Sequence, residues 1–312
     1  MNIKKTFLAV ASIGAVSGLG LATYLFWPIS YQQRDFAGIE GDVSRGAYLA
    51  RASGCFACHT NAKTKGPVLA GGGPLKTPFG TFYAPNITTD KKNGIGNWSL
   101  TDFSNALTHG INPKGENYYP VFLYPNYTSL SNQDIADLWA AFQTVPPVDI
   151  KVPEHDLKFP FQYRFLLTAW KKLFFKDERY KPNPEMSKEW NRGAFLAKGP
   201  THCAACHTPQ NLLGGKDYGH ELNGNANGPD GEKVPPITAT ALLKNKWTKK
   251  DIVFALRTGT KPDGDAFGGS MGEVVTDGTS YLSDQDLSAI AEYVMSVEHK
   301  NGKSVVKVKT QK

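Results

Sequence analysis

The chain contains Cys55-Phe56-Ala57-Cys58-His59 and, further on, Cys203-Ala204-Ala205-Cys206-His207, two copies of a Cys-x-x-Cys-His pattern that account for all four cysteines. In such a pattern the two thiols lie one helical turn apart and form thioethers with a haem, while the following histidine binds the iron. The sequence therefore predicts two covalently bound haem c groups. The predicted attachment residues are Cys55, Cys58, Cys203 and Cys206, and the predicted axial iron ligands are His59 and His207.

Four cysteines also suit a pair of disulfides or a zinc site, because Cys-x-x-Cys alone serves zinc binding and thiol redox chemistry as well. Histidine follows the second cysteine in both copies. A zinc site takes two or three ligands from each cluster and does not require a histidine at that position. The repeated histidine therefore favours haem.

The similarity between the two halves of the chain extends beyond these motifs. Residues 45–50 (RGAYLA) recur as residues 192–197 (RGAFLA), just ahead of each motif, and further matches follow at an offset of 149 residues. The chain therefore carries a duplicated unit, which we expect to be mostly helical, with long loops and little strand. The later matches are Trp98 with Trp247, Asp102 with Asp251, Ala106 with Ala255, Leu107 with Leu256 and Gly110 with Gly259.

The end of each copy has the pattern of an amphipathic helix. Ser131 is followed by Asp134, and Ser283 by Asp286, a spacing typical of a helix N-terminus. We expect each helix to bury its apolar face against the helix that precedes the haem motif of the same copy. The apolar residues at helical spacing are Ile135, Leu138, Trp139 and Phe142 in the first copy and Leu287, Ile290, Ala291 and Val294 in the second.

The N-terminus has the pattern of a membrane segment. Lys4 and Lys5 precede an uncharged run from Thr6 to Ile29 that is long enough to span a bilayer. The run lacks a convincing small-x-small cleavage site, which favours an uncleaved anchor over a cleaved signal peptide. The two lysines place the N-terminus in the cytoplasm, so we expect an inner-membrane protein with its haem units in the periplasm.

The formal net charge of +7 is concentrated at the chain ends. Lys4 and Lys5 supply two positive charges, and five lysines follow Glu298. The rest of the chain has equal numbers of basic and acidic residues, so we expect no nucleic-acid partner. We expect the basic tail to be solvated, and contact with anionic lipid or a partner is the alternative.

Residues 149–185 differ in composition from both copies. They combine many large aromatic side chains with Lys171 and Lys172. One interpretation is a linker helix packed between the copies. The other is an amphipathic surface that docks onto a partner or the membrane interface. The sequence leaves both open.

The second axial ligand of each iron decides whether a haem only carries electrons or also binds other molecules. Methionine in that position raises the reduction potential and blocks access. Met271 lies in a glycine-rich loop 64 residues after His207, so it is the predicted second ligand of the second haem.

The repeat relates Met271 to Phe122, which cannot coordinate iron. Residues 40–148 contain no methionine, and their only histidine besides His59 is His109. The sixth ligand of the first haem is therefore left unknown. The alternatives are a five-coordinate iron beneath Phe122 and Leu123, or ligation by His109, by His155 of the linker, or by one of Tyr118, Tyr119, Tyr124 and Tyr127.

Several stretches resemble a known family. They are residues 75–81 (LKTPFGT), 85–88 (PNIT), 94–99 (GIGNWS), 170–175 (WKKLFF), 189–194 (EWNRGA) and 207–211 (HTPQN). Over about residues 40–298 the chain resembles the multihaem cytochrome c subunits of bacterial membrane-bound alcohol, gluconate and aldehyde dehydrogenases. It departs from them in two ways: members commonly carry three haem domains, and the methionine of their Tyr-Pro-x-Met segment is Phe122 here.

The resemblance implies two tandem cytochrome c domains, each a few helices around a covalent haem, behind an N-terminal transmembrane helix. It also implies a non-catalytic role: electrons pass from the catalytic subunit of a membrane-bound dehydrogenase to ubiquinone or a terminal oxidase. The expected boundaries are 1–30 for the membrane segment, 40–148 and 186–298 for the haem domains, 149–185 for the aromatic linker and 299–312 for the basic tail.

Two other functions compete with this relay. One is a dihaem enzyme, peroxidase-like or thiosulfate-oxidising, that uses an open or unusual first haem. The thiosulfate enzymes use a cysteine ligand, and the chain has no spare cysteine. The other is a freely diffusing electron carrier, which the predicted membrane anchor disfavours.

Overall fold

The computed structural model describes residue 7, residues 17–300 and residues 303–306. Residues 17–26 form a helix, α1. Within this described part of the chain, no helix has both the length and the apolar character needed to cross a membrane. Part of the predicted anchor, namely Thr6 and residues 8–16 of the run from Thr6 to Ile29, lies outside the described residues.

The remaining α-helices follow the predicted duplication. The first half contains α2 (Val43–Ala52), α3 (Cys55–His59), α4 (Leu100–His109), α5 (Tyr124–Tyr127) and α6 (Asn132–Phe142), and the linker contains α7 (Leu166–Phe174). The second half contains α8 (Lys188–Lys198), α9 (Cys203–His207), α10 (Ala239–Lys244), α11 (Lys249–Thr258), α12 (Gly269–Asp277) and α13 (Asp284–Val294). Short 3-10 turns occur at Ala62–Thr64, Tyr218–His220, Pro229–Gly231 and Thr279–Tyr281. The prediction of a mostly helical fold is confirmed.

Strands form two small antiparallel sheets. The first has the order β1 (Pro74–Thr77), β2 (Gly80–Tyr83), β3 (Asp156–Leu157), so the linker pairs with a hairpin of the first half. The second pairs β4 (Val297–Lys300) with β5 (Lys303–Val306). The described part of the predicted basic tail, residues 299–300 and 303–306, lies in this hairpin, and its solvation stays a prediction.

Each half is built on one crossing of two helices, α2 with α6 and α8 with α13, as predicted. A glycine sits at each crossing. A Cβ atom on Gly46 would lie 1.8 Å from the carbonyl oxygen of Asp137, and one on Gly193 would lie 1.8 Å from that of Ala289. Only glycine permits such close backbone approach, which explains why Arg-Gly-Ala occurs in both copies.

The predicted apolar faces are buried. Trp139 is only partly buried and packs against the other residues of the α6 face. The two faces belong to one continuous apolar core that includes residues from both halves of the chain. The buried members are Ile135, Leu138 and Phe142 of α6 and Leu287, Ile290, Ala291 and Val294 of α13.

An arginine–aspartate pair joins the two helices of each half. Arg45 donates from Nε and Nη2 to Asp137 at 2.7 and 2.9 Å, and Arg192 donates in the same way to Asp286 at 2.8 Å in both bonds. Burial alone would raise the pKa of Asp137, but hydrogen bonds from Arg45, the amide of Asp42 and Gln133 outweigh it and lower that pKa. Both carboxylates are thus held ionised by bidentate guanidinium contacts.

The linker contacts both halves and also leaves aromatic residues exposed. In α7, the ammonium group of Lys171 reaches the carbonyl oxygens of His109 and Gly110, while the indole N–H of Trp170 donates to the carbonyl of Leu213 at 2.8 Å. The linker therefore combines the contacts expected of a helix packed between the copies with the exposed aromatic residues expected of a docking surface. The exposed large side chains of the linker are Ile150, Phe159, Tyr163, Phe165 and Leu173.

Candidate haem sites

The two Cys-x-x-Cys-His motifs fold into the short helices α3 and α9. Each helix is preceded by a residue in the left-handed region, Gly54 at φ +63° and His202 at φ +39°. Both cysteines of a motif lie within one five-residue helix, as covalent attachment to one haem edge requires. The four cysteines, all in the described part of the chain, are unpaired.

The histidine of each motif is held in the same way. The Nδ1 atom of His59 lies 2.7 Å from the carbonyl oxygen of Pro85, and that of His207 lies 2.8 Å from the carbonyl oxygen of Pro235. Because a carbonyl oxygen only accepts hydrogen bonds, Nδ1 carries the proton and the lone pair of Nε2 is free to bind a metal. Burial lowers the pKa of both histidines, which also favours the neutral form.

An unusual leucine in each half helps to place these proline carbonyls. Leu69 and Leu222 are buried and share a φ of +61°. The amide of Leu69 donates to Thr60 Oγ1 at 3.1 Å, and its carbonyl accepts from the amide of Ile87, two residues after Pro85, at 2.9 Å. The amide of Leu222 likewise donates to Thr208 Oγ1 at 3.2 Å, and its carbonyl accepts from the amide of Ile237 at 2.9 Å.

A left-handed conformation costs a non-glycine residue about 1–2 kcal/mol. Such strain persists only where the surrounding structure holds the residue in place. The left-handed leucine occurs at the same place in both halves. We therefore connect its strain with the loop that positions the proline carbonyl against the motif histidine.

The thiols are protonated in this environment. Desolvation by the surrounding protein atoms is the main cause that raises the pKa of Cys55 to about 12 and that of Cys58, although Cys58 is itself exposed, to about 11, and it also raises the pKa values of Cys203 and Cys206. Each motif places two thiols and a histidine that presents Nε2 on one short helix, which is the set of groups that thioether attachment and iron ligation require. The residues present therefore fit a c-type haem at each motif.

The glycine-rich segment of residues 71–73 packs directly on the first motif. A Cβ atom on Gly72 would lie 1.8 Å from the carbonyl oxygen of Cys58, and the amide of Gly71 donates to the carbonyl of His59 at 3.0 Å. In the second half, the amide of Gly224 donates to the carbonyl of His207 at 2.7 Å. These glycines let a loop approach the end of each motif helix.

The predicted second ligand of the second haem, Met271, lies in the first turn of α12. It is partly buried and packs against the main core. The same helix also lies close to the first motif: charges on its residues Glu273 and Asp277 contribute to the raised pKa of Cys58. Ligation of the second haem by Met271 stays a prediction.

Phe122 occupies the corresponding region of the first half. Its ring contacts Tyr118 edge-on at a centroid distance of 5.7 Å and lies 6.0 Å from the ring of Tyr127. Burial raises the pKa of Tyr118 to about 12, while Tyr127 donates its hydroxyl hydrogen to the carbonyl of Ser53 at 2.8 Å. An aromatic cluster thus surrounds the place where the repeat predicts a methionine.

The two alternative histidines are engaged elsewhere. His109 is buried, with Nδ1 3.3 Å from Asn105 Oδ1 and Nε2 3.1 Å from Asp177 Oδ2, and its ring stacks on Tyr31. Nδ1 of His155 accepts from the amide of Tyr83 at 3.3 Å. In this arrangement His109 has no free nitrogen for iron.

Two of the candidate tyrosines have defined surroundings. Tyr119 donates its hydroxyl hydrogen to the carbonyl of Phe161 at 3.0 Å. Tyr124 is fully buried, and its ring packs edge-on against Phe175 at a centroid distance of 5.3 Å.

Comparison with known proteins decides the family. A sequence model of the cytochrome c family matches residues 191–298. The chain is 40% identical over 294 residues to a protein of Cereibacter sphaeroides named "Diheme cytochrome c-type", which covers 93% of this chain and 96% of that protein. The chain belongs to the cytochrome c family.

Other relatives of this cytochrome are subunits of larger assemblies. It is 39% identical to the fructose dehydrogenase cytochrome subunit of Gluconobacter japonicus, over 83% of the chain and 53% of that subunit. It is 36% identical to the cytochrome c subunit of the quinone alcohol dehydrogenase of Gluconobacter oxydans, over 90% of the chain and 59% of that subunit. The chain thus spans little more than half of these two relatives. The predicted resemblance to electron-transfer subunits of dehydrogenases, as opposed to catalytic subunits, is confirmed.

Sequence reasoning missed several residues that shape the sites of this cytochrome. Pro85 and Pro235 supply the carbonyls that orient the histidines. The signal was present, because Pro-x-Ile-Thr occurs at residues 85–88 and again at 235–238. His202 was also missed, and nothing in the sequence around it indicated that it meets the other motif.

Proposed function

We propose that this protein is a dihaem c-type cytochrome that relays electrons and performs no substrate chemistry of its own. Haem is attached at Cys55 and Cys58, with His59 on the iron, and at Cys203 and Cys206, with His207 on the iron. When bound, a c-type haem supplies a one-electron iron couple. Met271 is the proposed second ligand of the second haem, and the first haem lacks methionine ligation. Residues 40–148 and 186–298 are proposed as the two haem domains.

One observation carries this proposal. In both halves the motif histidine donates from Nδ1 to a proline carbonyl, which leaves the lone pair of Nε2 free to bind iron. The bond fixes the tautomer and the ring orientation before any metal binds. A histidine that served only packing would not need an equivalent proline carbonyl, placed by an equivalent leucine, in both halves.

Haem content tests the assignment directly. The purified full chain should carry two haems, measured as pyridine haemochrome per chain and as added mass on the intact polypeptide. The paired variants Cys55→Ala/Cys58→Ala and Cys203→Ala/Cys206→Ala should each lose one haem and keep the other. A chain with no added mass, or with bound zinc, would refute the proposal.

The proposed electron donor is the catalytic subunit of a membrane-bound dehydrogenase, and the proposed acceptor is ubiquinone or a terminal oxidase. Support comes from relatives that are named as cytochrome subunits of fructose and alcohol dehydrogenases. The test is affinity purification of the tagged cytochrome from its native membranes, followed by substrate addition under anaerobic conditions. A co-purifying dehydrogenase whose substrate reduces the cytochrome supports the relay, and reoxidation by added ubiquinone identifies the acceptor.

We also propose that the protein is held at the periplasmic face of the inner membrane by its N-terminal run. Exposed rings extend from the linker to helix α1: Phe159 contacts Tyr163, Tyr163 contacts Phe165, and Phe165 contacts Phe26, with centroid distances of 6.3, 6.0 and 5.6 Å. We call these four residues the aromatic strip. Aromatic side chains of this kind favour the membrane interface.

Basic groups accompany the aromatic strip. The ammonium group of Lys172 lies 4.6 Å above the ring of Tyr24 and donates to the carbonyl of that residue. Phe159 and Phe165 expose 78% and 59% of their surface. Exposed aromatic residues beside lysine, continuous with helix α1 of the uncharged run, suit contact with anionic phospholipid.

Hydrogen exchange of the full chain tests the membrane contact. Backbone amides of residues 159–175 should exchange more slowly in nanodiscs containing phosphatidylglycerol than in detergent. The Phe159→Ser/Phe165→Ser variant should lose this protection, whereas Leu212→Ser, at a side chain that is 93% exposed outside the strip, should not change it. Equal exchange in both media would rule out the strip as a lipid contact. Intact mass of the membrane-extracted protein shows whether residues 1–30 are retained.

A second function has one observation in its favour. Phe122 stands where the repeat predicts a methionine, and His109 is hydrogen bonded through both ring nitrogens, which supports the proposal of an open or unusual face on the first iron. A dihaem enzyme of the peroxidase type would use such a face. Carbon monoxide binding by the reduced first haem together with peroxide turnover would favour the enzyme, and their absence favours the relay.

A further inference from the structure

The two motif helices meet at their N-termini, at residues that the repeat makes equivalent. Gly54 precedes Cys55 and His202 precedes Cys203. A Cβ atom on Gly54 would lie 3.3 Å from Nε2 of His202. The imidazole ring of the second half therefore lies against the backbone that opens the motif of the first half.

His202 is held by groups of the first half. Its ring lies beside the backbone of Ser53. The hydroxyl of Tyr127 donates to the carbonyl of the same serine at 2.8 Å, and the rings of Tyr127 and His202 lie edge-on at a centroid distance of 6.3 Å. Burial disfavours the charged imidazolium, so a neutral ring joins the two halves.

The attachment residues themselves are close at this junction. Cys206 lies close enough to Cys58 for its charge to contribute to the raised pKa of the Cys58 thiol. Motions that separate Gly54 from His202 would therefore change the arrangement of the two haem-attachment segments.

The backbone of His202 is strained in a way that its repeat equivalent avoids. It adopts a φ of +39°, where the equivalent residue is a glycine at +63°. Glycine would occupy this position without the steric penalty. A histidine kept in this conformation, with its ring across the junction, points to a role for the ring beyond turn formation.

We propose that His202 is a positioning residue that fixes the two haem-attachment helices relative to each other and thereby sets the redox coupling between the two sites. The proposal rests on the proposed function in requiring two haems. It concerns the isolated cytochrome and does not depend on which dehydrogenase or quinone the protein serves.

Potentiometric titration of the purified holoprotein measures this coupling. Reduction of one site changes the electron affinity of the other by a coupling factor that acts equally in both directions. In the His202→Gly variant we expect this factor to change by about tenfold, which is about 59 mV for a one-electron couple. The electron paramagnetic resonance lines of the two ferric sites should shift relative to each other, while each chain retains two haems.

Two further variants keep the test decisive. His202→Asn tolerates the left-handed conformation and retains a hydrogen-bond donor, so it should shift the coupling in the same direction by a smaller amount. His220→Asn changes a histidine of the same half that lies beside Asp217, away from the junction, and should leave the coupling unchanged. If His202→Gly does not retain both haems, His202→Asn decides the question.

The proposal is overturned if the variant of His202 that retains both haems shows the coupling and resonance lines of the unaltered protein. It is also overturned if His220→Asn produces the same change as the His202 variants. Failure of the proposed function would look different, since it would appear as missing haem or as a cytochrome that no dehydrogenase reduces.

Discussion

On the histidine side of the motifs, the first and second halves of the cytochrome have matching hydrogen bonds, whereas the segments opposite differ. His59 and His207 bond to equivalent proline carbonyls. Across from them, the repeat pairs an aromatic Phe122 cluster with Met271 on α12. The two copies thus share the groups that hold the proposed haem and differ in those that would set its reduction potential.

The ends of α4 and α11 show a second difference. Both helices end at a left-handed glycine, Gly110 and Gly259, and the carbonyl of each glycine accepts from an amide eight residues later at 2.7 Å. In the first half, Lys171 of the linker covers this end, and its side chain is almost fully buried. In the second half no linker residue covers the end of α11 in this way, and Thr258, which the repeat relates to His109, is exposed. The linker therefore covers this helix end in the half that lacks the methionine and leaves the equivalent end of α11 uncovered.

Exchanging the two distal residues should have the largest effect on this asymmetry. Because methionine raises the potential of a His-ligated haem, Met271→Leu should lower one of the two reduction potentials by on the order of 0.1 V, within the roughly 0.8 V that axial ligands span. Its His/Met resonance signal should disappear. Phe122→Met should instead give the first haem a signal of that type.

Potentiometry and low-temperature electron paramagnetic resonance measure both changes. Met295→Leu is the matched control, since Met295 is also partly buried against the core but follows the final helix. Unchanged potentials in Met271→Leu would show that Met271 is not a ligand and would remove the proposed difference between the two sites.

The next largest effect should come from Lys171. Its ammonium group donates to the carbonyls of His109 and Gly110 at 2.7 and 3.0 Å and to Oδ1 of Asn117 at 2.6 Å. Lys171→Met leaves these acceptors without their donor, so the free energy of unfolding should fall by about 2 kcal/mol.

Urea unfolding of the holoprotein measures this loss. Lys176→Met, at an exposed lysine two residues after α7, should change stability by less than about 0.5 kcal/mol. A Lys171→Met protein as stable as the Lys176→Met protein would mean that the linker does not stabilise the end of α4.

Several elements of this asymmetry were predictable from the sequence because they depend on local chemistry or on the repeat. Serine–aspartate spacing located the starts of α6 and α13, helical periodicity identified their buried faces, and the offset of 149 residues placed Phe122 opposite Met271. These signals lie within a few residues of each other or are copied from one half to the other.

The remaining features depend on contacts between distant segments. Lys171 looked like one of two linker lysines, yet it is buried because α7 folds back onto a helix end about 60 residues earlier in the chain. The meeting of His202 with Gly54 likewise requires the relative placement of the two halves. No periodicity or spacing encodes such long-range contacts, so they emerged only from the structure.

Acid titration should reveal how much the two arginine–aspartate pairs contribute to stability. Burial would raise the pKa of Asp286, but hydrogen bonds from Arg192 and Tyr48 lower it, as Arg45, Asp42 and Gln133 do for Asp137. A carboxyl group with a lowered pKa in the folded state stabilises the protein above its unfolded pKa. This contribution is lost as the pH falls through the folded value.

Asp137→Asn and Asp286→Asn should each lower the free energy of unfolding at pH 7 by about 1.5 kcal/mol. The difference from the unaltered protein should shrink as the pH falls below the ordinary value of 3.8. Urea unfolding between pH 7 and acidic pH measures this. Asp263→Asn, at an exposed loop position, is the control. A difference that stays constant with pH would show that the charges contribute nothing.

The smallest expected effect concerns the start of α13. In α6, Ser131 and Asp134 form a reciprocal capping box. In α13, Asp286 is engaged by Arg192, and the amide of Ser283 donates instead to the hydroxyl of Tyr48 at 3.1 Å. A residue of the first half therefore completes the cap of the second.

Tyr48 occupies the position of Phe195 in the other copy, so Tyr48→Phe makes the two copies alike. The variant loses the bond to the Ser283 amide and the 2.7 Å bond to Asp286. Since solvent replaces part of what is lost, the free energy of unfolding should fall by about 1 kcal/mol. Tyr281→Phe is the matched control, because Tyr281 is exposed near the same junction. Equal urea midpoints for the two variants would mean that the halves are joined by packing and by His202, and not through this cap.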